Sequence, residues 1–157
     1  MELRNTRFGD IQVEDERLLT FPEGIPGFEE LTRFALLHDE NMEPFFWLQS
    51  LDQPEVAVIV VDPFLFFPDY APLLLEEYLE ILGLEDPADV SLLTITTIPD
   101  DVSKITTNLA APIAIHNDNR IGVQAILDRG AYEARTPMYQ QVTAYWKGGA
   151  DDAGSDA

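Results

Sequence analysis

The residue types that could support catalysis are few in this 157-residue chain. It has no cysteine, and its two histidines are His38 and His116. Serine occurs four times, at Ser50, Ser91, Ser103 and Ser155. The chain also lacks the motifs of a nucleophile elbow, a zinc-protease helix or a phosphate-binding glycine loop. The chain therefore has few residues that could form a nucleophile and its general base, and we expect that the protein is not an enzyme.

One short run, His116-Asn117-Asp118-Asn119, contains side chains that can ligate a metal ion. It lacks the central glycine and the closing glutamate of a calcium-binding loop, and tight turns favour the same residue types. The 29 acidic residues of the chain will place some carboxylates at any chosen spacing, so a carboxylate pair is no sign of acid–base catalysis. We expect a turn at this run, and neither a metal ion nor a cofactor.

Acidic residues dominate the charge of the chain, which carries 29 Asp and Glu against 9 Lys and Arg and a net charge of −20. Between Phe34 and Ser103 there is no Lys or Arg at all. This balance argues against binding of nucleic acid phosphates or anionic membranes. Two interpretations remain open: the acids serve solubility or adaptation to salt, or they form a surface for a basic partner.

Four large apolar residues, Phe64 to Phe67, lie between Pro63 and Pro68. The prolines exclude a central strand, because they cannot donate to a sheet ladder. These side chains must either plug the end of the domain or form an exposed patch. An exposed patch would suit an amphipathic helix of a partner protein.

One helix is predicted at residues 74–82, where apolar residues recur at helical spacing and glutamates occupy the other side. Elsewhere, short β-branched and aromatic runs alternate with turn residues. This pattern predicts a mainly β fold, a small antiparallel β-barrel or tight sandwich with one short helix. We expect one domain over residues 1–146, followed by a disordered acidic tail over residues 147–157, which is poor in apolar residues.

A β-hairpin is predicted from Pro112 to Leu127, with Asn117-Asp118-Asn119 as a three-residue loop. That loop length pairs Ile115 with Ile121 and Ile113 with Val123, so one face of the hairpin would carry the apolar side chains of both strands.

Four ordered blocks of the sequence resemble a known family. They are FPEGIPGF at Phe21–Phe28, LQS at Leu48–Ser50, DPFLFFPDY at Asp62–Tyr70 and TTNLAAPIAIHNDNRIGVQAIL at Thr106–Leu127. Together they resemble the flagellar assembly factor FliW family of bacteria, and the similarity runs from about Met1 to Tyr132.

The resemblance implies a binding protein with two partners, newly made flagellin and the translational repressor CsrA. Binding of CsrA would relieve its repression of flagellin translation. The sequence has no apolar stretch of 18 residues, and we expect a cytoplasmic protein. We also expect it to be monomeric when free. The alternatives are a small-ligand or carbohydrate-processing β-barrel enzyme and an acidic mimic of RNA. The residues expected to contact a partner are Phe28, Glu29, Phe64, Phe66, Phe67, Asp69, Tyr70, Glu76, Glu77, Glu80 and Asn108.

Overall fold

The structure is a computed structural model that describes residues 1–128 and 130–156, with side chains through residue 147. Its strands are β1 (Glu2–Thr6), β2 (Gly9–Gln12), β3 (Leu18–Thr20), β4 (Arg33–His38), β5 (Phe46–Ser50), β6 (Ala57–Val61), β7 (Val90–Thr97), β8 (Thr106–Thr107), β9 (Ile113–His116), β10 (Gly122–Gln124) and β11 (Thr136–Pro137). The helices are α1 (Glu76–Leu82) and α2 (Tyr139–Asp156). Within the described residues, neither helix is both long and apolar enough to cross a membrane.

Nine strands form one antiparallel sheet in the order β10-β9-β7-β6-β5-β4-β3, with β8 beside β7 and β11 beside β8. The first two strands form a separate hairpin. The ends of the large sheet approach each other at one bridge between Thr20 and Ile121, where the Thr20 N–H donates to Arg120 O at 3.0 Å. Among the described residues no ladder joins β3 to β10, so the sheet curls without closing into a barrel. The predicted mainly β fold is confirmed in this open form.

The concave face of the curled sheet holds the main core. Its fully buried side chains include Phe21, Phe34, Leu48, Val60 and Ile113, which come from elements across the whole sheet. Alternate residues of each strand point to this face, and the period-2 apolar pattern of the sequence follows from that geometry.

The convex side is covered by the two helices. The buried side chain of Leu82 in α1 packs with Ala114 and Val123 of the hairpin. Met138 and Val142, at and near the start of α2, pack with Ile105 in a further cluster. Because a helix covers its outer face, the β9–β10 hairpin is buried on both sides, as its unbroken run of buried residues requires.

The predicted pairing of this hairpin is wrong by one residue. Ile115 pairs with Gly122 and Ile113 with Gln124. The reason is Arg120, which adopts a left-handed φ of 61° and joins the turn as a fourth loop residue. Its N–H donates to His116 O at 3.1 Å, while the His116 N–H donates to Ile121 O at 2.9 Å. Val123 consequently faces α1, and Ile115 faces the main core.

The helices differ from expectation in extent and in number. The first begins at Glu76, two residues after the predicted start, and ends before Gly83 as predicted. The second was not predicted, and its backbone is helical from Tyr139 to Asp156, where the sequence suggests a disordered tail from residue 147. The domain boundary at residue 146 stays a prediction.

Candidate partner-binding surfaces

A groove of about 610 Å³ runs along one edge of β7. Its walls are mostly apolar: Leu36, Phe46, Phe64, Pro87, Leu93 and Ile115. Val90, Ser91 and Leu92 of β7 complete the lining together with Asp62, Asn117 and Arg120. We call it the β7-edge groove.

The groove exists because β6 ends before it can cover the first half of β7. The pairing of β6 with β7 stops at Val61 opposite Thr94. Pro63 follows, which has no N–H for a ladder, and Asp62 Oδ1 accepts the Phe64 N–H at 2.9 Å to start a 3-10 turn over Pro63–Leu65. This turn ends the strand pairing while it still lies against β7, so among the described residues no strand pairs with Val90 to Leu93 on that side.

The Phe64–Phe67 run divides between the two predicted outcomes. Phe64 and Leu65 are 42% and 50% exposed, whereas Phe66 is buried and its ring centroid lies 5.6 Å from that of Tyr145. Phe67 is half-buried and packs against the cluster that contains Phe66, Ile105 and Met138. Phe64 and Leu65 can therefore contact a partner, while the buried Phe66 side chain anchors the turn that carries these two residues.

Tyr70 lies in the core beside this run. Its hydroxyl donates to Leu109 O at 2.7 Å, and its ring packs edge-to-face on Tyr132 with centroids 4.7 Å apart. Burial raises the pKa of the Tyr70 hydroxyl well above its ordinary range. Exposed Asp69 shares a depression of about 300 Å³ with these two rings.

Three of the acids in the run without Lys or Arg, all predicted to contact a partner, lie on α1. Glu76, Glu77 and Glu80 are exposed, and none of them takes part in an ion pair among the described residues. Beside this face lies a second groove of about 280 Å³, lined by Pro72, Leu73, Leu74, Leu79, Leu84 and Glu85. We call it the α1 groove. Its most exposed apolar side chain is Leu73, at 81%.

The remaining predicted residues hold turns. Gly24 has a φ of 67°, and a Cβ there would lie 2.5 Å from Glu29 O, so the segment up to Phe28 and Glu29 folds tightly. Both side chains are exposed, and Glu29 Oε1 accepts the Gly27 N–H at 3.2 Å. Asn108 Oδ1 accepts the N–H groups of Ala110 and Ala111, both at 3.1 Å. These contacts give Asn108 a structural role before β9.

The two grooves share a wall that sequence reasoning missed. Pro87, Val90 and Leu92 line both. Arg120 and Leu73 were missed as well. The available signal for Arg120 was a basic residue directly after the predicted turn in a strongly acidic chain. The signal for Leu73 was a leucine between Pro72 and the glutamate-rich helix.

The described residues bring together no cluster of three His, Cys, Asp or Glu side chains that could hold a metal ion. Two concavities in this part of the chain are instead mostly apolar grooves, the β7-edge groove and the α1 groove. A third, of about 430 Å³, is more polar and is lined by Phe8, Trp47, His38, Asp39 and Glu40 among others. What the two apolar grooves can do is bind a protein segment, because burial of apolar area supplies affinity and a few polar groups supply register.

Comparison with known proteins agrees with this architecture. A sequence model of the family described as FliW protein matches residues 2–138. The chain is 42% identical over 143 residues to the flagellar assembly factor FliW of Caldanaerobacter subterraneus subsp. tengcongensis, covering 90% of this chain and 95% of that one. It is 41% identical over 136 residues to the flagellar assembly factor FliW of Ruminiclostridium cellulolyticum, covering 86% and 92%.

A solved structure is also similar. The crystal structure of a flagellar assembly factor FliW superposes with a TM-score of 0.81 at 35% sequence identity, covering 88% of this chain and 96% of that chain. Sequence and structure agree over nearly the whole domain. The chain therefore belongs to the FliW protein family.

Proposed function

We propose that this protein is a cytoplasmic flagellar assembly factor that binds flagellin and the translational repressor CsrA, and that it is not an enzyme. Family membership and the names of its relatives support the role in flagellar assembly. In the proposed cycle, the protein holds flagellin while flagellin is abundant. When flagellin is exported, the freed protein binds CsrA and relieves repression of flagellin translation.

The observation that carries the proposal is a pair of surfaces of different chemistry on either side of one strand. The α1 face presents Glu76, Glu77 and Glu80 without cationic partners. An RNA-binding repressor needs a basic surface, and a surface of that charge is complementary to this helix face. Leu73 beside it supplies apolar area that a basic segment can cover.

The β7-edge groove suits flagellin instead. Its apolar walls and exposed Phe64 favour a partner that binds chiefly by apolar burial. Leu65 extends the apolar area beyond the groove. The net charge of −20 attracts a basic partner to the protein as a whole. The exposed glutamates of α1 favour that helix face as its binding site, because the β7-edge groove has one acid, Asp62, and one base, Arg120, in its lining.

The common wall of the two grooves supports a linkage between the partners. A ligand that shifts Val90 or Leu92 in one groove changes the shape of the other. If either partner lowers the affinity of the other, free flagellin controls the amount of free CsrA. A direct clash of the two partners over Pro87 would have the same thermodynamic result.

The rival functions make different demands. A carbohydrate-processing enzyme needs a polar cavity with titratable groups that face each other, whereas Asp62 is the one acid that lines the β7-edge groove. An acidic mimic of RNA would compete with RNA for the same site on CsrA. Competition between this protein and a CsrA-binding RNA, measured at rising RNA concentration, separates mimicry from binding elsewhere on CsrA.

Co-purification tests the proposal. The tagged protein should retain flagellin and, in a separate experiment, CsrA from the same organism. Adding flagellin to the immobilised CsrA complex should release CsrA. Failure to retain either partner would refute the proposed function, and simultaneous retention with unchanged affinities would refute the switch.

A further inference from the structure

The first half of β7 has an open hydrogen-bonding edge. The Asn117 N–H donates to Asp89 O at 2.8 Å, which continues the ladder between β7 and β9 by one residue pair. Hydrogen-bonded pairs alternate along an antiparallel ladder, so Ser91 and Leu93 exchange bonds with Ile115 and Ile113. The N–H and C=O groups of Val90 and Leu92 therefore point away from β9.

That open edge faces the β7-edge groove. Strand β6 ends at Val61 and the 3-10 turn over Pro63–Leu65 follows, so no described strand pairs with Val90 and Leu92 on that side. Both residues are partly exposed and line the groove. Free N–H and C=O groups beside apolar walls are what an added strand requires: the backbone bonds give affinity, and the walls accept alternate side chains.

Arg120 adds a charge requirement at the end of this groove. Its backbone is fixed, because its N–H bonds His116 O and its own carbonyl accepts the Thr20 N–H. The side-chain Nε is buried and has no hydrogen-bond partner within the described part of the chain. Arg120 also takes part in none of the ion pairs formed there. The Arg120 Nε therefore lacks an acceptor among the described residues, and a carboxylate of a ligand can supply oxygens to the guanidinium.

We propose that an extended, apolar segment of flagellin binds in the β7-edge groove as an added strand, pairs with the backbone of Val90 and Leu92, and places a carboxylate against Arg120. This inference rests on the proposed function and specifies how flagellin is recognised. The charge of Arg120 selects against a basic segment, which assigns the groove to flagellin rather than to CsrA.

The backbone pairing is tested by the exchange of single amide protons. Nuclear magnetic resonance should show that flagellin slows hydrogen exchange at Val90 and Leu92. Ser91 and Leu93 serve as internal references, since their amides already bond to β9. Flagellin binding without added protection at Val90 and Leu92 would overturn the added strand.

A proline substitution tests the backbone hydrogen bond proposed for the Leu92 N–H. Leu92→Pro removes an N–H that faces the groove and keeps the ladder with β9, as proline is tolerated at such edge positions. Leu92→Ala is the matched control, because it removes the side chain and keeps the N–H. We expect Leu92→Pro to bind flagellin at least about tenfold more weakly than Leu92→Ala, with both variants folded. Equal binding would contradict the pairing.

The carboxylate is tested at Arg120. Arg120→Gln should weaken flagellin binding by about tenfold or more, the usual effect of losing a hydrogen bond to a charged group, and leave CsrA binding within about twofold. Arg120→Lys should restore part of the loss. Arg135→Gln removes the same charge from an exposed site outside the groove and should have no effect.

A charge reversal at Arg120 identifies the flagellin residue that contacts it. Arg120→Glu should abolish binding, and an Asp or Glu to Lys change at one position of flagellin should restore it. If the parent protein does not bind flagellin at all, the proposed function fails. If flagellin binds and Arg120→Gln binds equally well, the carboxylate contact alone is wrong. A dimer of the parent that dissociates in Arg120→Gln would show that a second copy of this chain fills the groove.

Discussion

Asp52 shows how one carboxylate can fix the junction of two strands. Its Oδ2 accepts the N–H groups of Thr32 at 2.9 Å and Arg33 at 3.0 Å, and its Oδ1 lies 2.8 Å from Nε and from a terminal nitrogen of Arg33. Burial works to raise the pKa of Asp52, but the two backbone N–H groups and the Arg33 guanidinium outweigh it. The pKa of Asp52 therefore lies below its ordinary value of 3.8.

Asp52→Asn should lower the melting temperature at neutral pH and have progressively less effect in acid. A folded-state pKa below the unfolded one contributes stability that is present above the ordinary value of 3.8. That contribution is lost as the pH falls through the folded-state pKa. Thermal melts of parent and variant between neutral pH and about pH 2.5 check this, with exposed Asp100→Asn as the control. A difference that does not shrink in acid would contradict it.

Gly122 is required by close packing rather than by its backbone angle. A Cβ at this position would lie 2.7 Å from Cζ of the fully buried Phe21. The observed hairpin register places Gly122 opposite Ile115, so the glycine leaves room for the Phe21 ring at the end of the main core.

Gly122→Ala should destabilise the protein by about 1–3 kcal/mol, the usual cost of overpacking a core. Phe21→Leu in the Gly122→Ala background should cost less than Phe21→Leu in the parent, because the smaller side chain removes the clash. Denaturant unfolding of the four proteins measures this coupling. Strictly additive effects would show that the two residues do not touch.

At the scale of elements, the β9–β10 hairpin lies between the main core on one face and α1 on the other. Ile115 faces the core, and Val123 faces Leu82 of the helix. The Asn119 side-chain amide donates to Leu82 O at 2.9 Å and fastens the end of α1 to the hairpin loop. Helix, loop and hairpin consequently support one another.

Ile115→Ala should cost about 2–5 kcal/mol of unfolding free energy, because it leaves a cavity in the core. Ile126→Ala is the matched control: Ile126 is 55% exposed just beyond β10, and its truncation should change stability by less than about 0.5 kcal/mol. Urea titration of both variants distinguishes the positions. Similar losses at the two sites would contradict the orientation of the hairpin.

Local patterns predicted a mainly β fold and α1 because burial repeats every second residue in a strand and on one stripe of a helix. They failed at the hairpin register, which depends on the left-handed conformation of Arg120, a residue type that rarely adopts it. The second helix was missed although Met138, Val142 and Tyr145 have helical spacing, since the glycines and acids that follow favour disorder.

The candidate site was predictable in some of its side chains and not in its shape. Exposed Glu76, Glu77 and Glu80 follow from the helical pattern of the sequence, whereas the sequence left open whether Phe64 is buried or exposed. The β7-edge groove depends on where β6 stops relative to β7, a long-range pairing that no local pattern encodes. Arg120 enters it only because the hairpin loop folds beside β7.

On the scale of the whole molecule, the net charge of −20 creates a field that attracts basic proteins and repels acidic ones. The acidic α1 face and the apolar β7-edge groove then divide the partners by chemistry. Charge attraction is screened by salt, since the Debye length falls from about 10 Å at 0.1 M to about 3 Å at 1 M, whereas apolar burial is not screened.

In the proposed function, two adjoining surfaces bind two partners. Isothermal titration calorimetry between about 0.05 and 0.5 M NaCl should show CsrA affinity falling steeply with salt, whereas flagellin affinity, which combines apolar burial with the single contact at Arg120, should change much less. Phe64→Asp should weaken flagellin binding more than CsrA binding, and the combined change of Glu76, Glu77 and Glu80 to Gln should do the reverse. If both partners respond alike to salt and to both sets of changes, they share one site, and the two surfaces do not divide them.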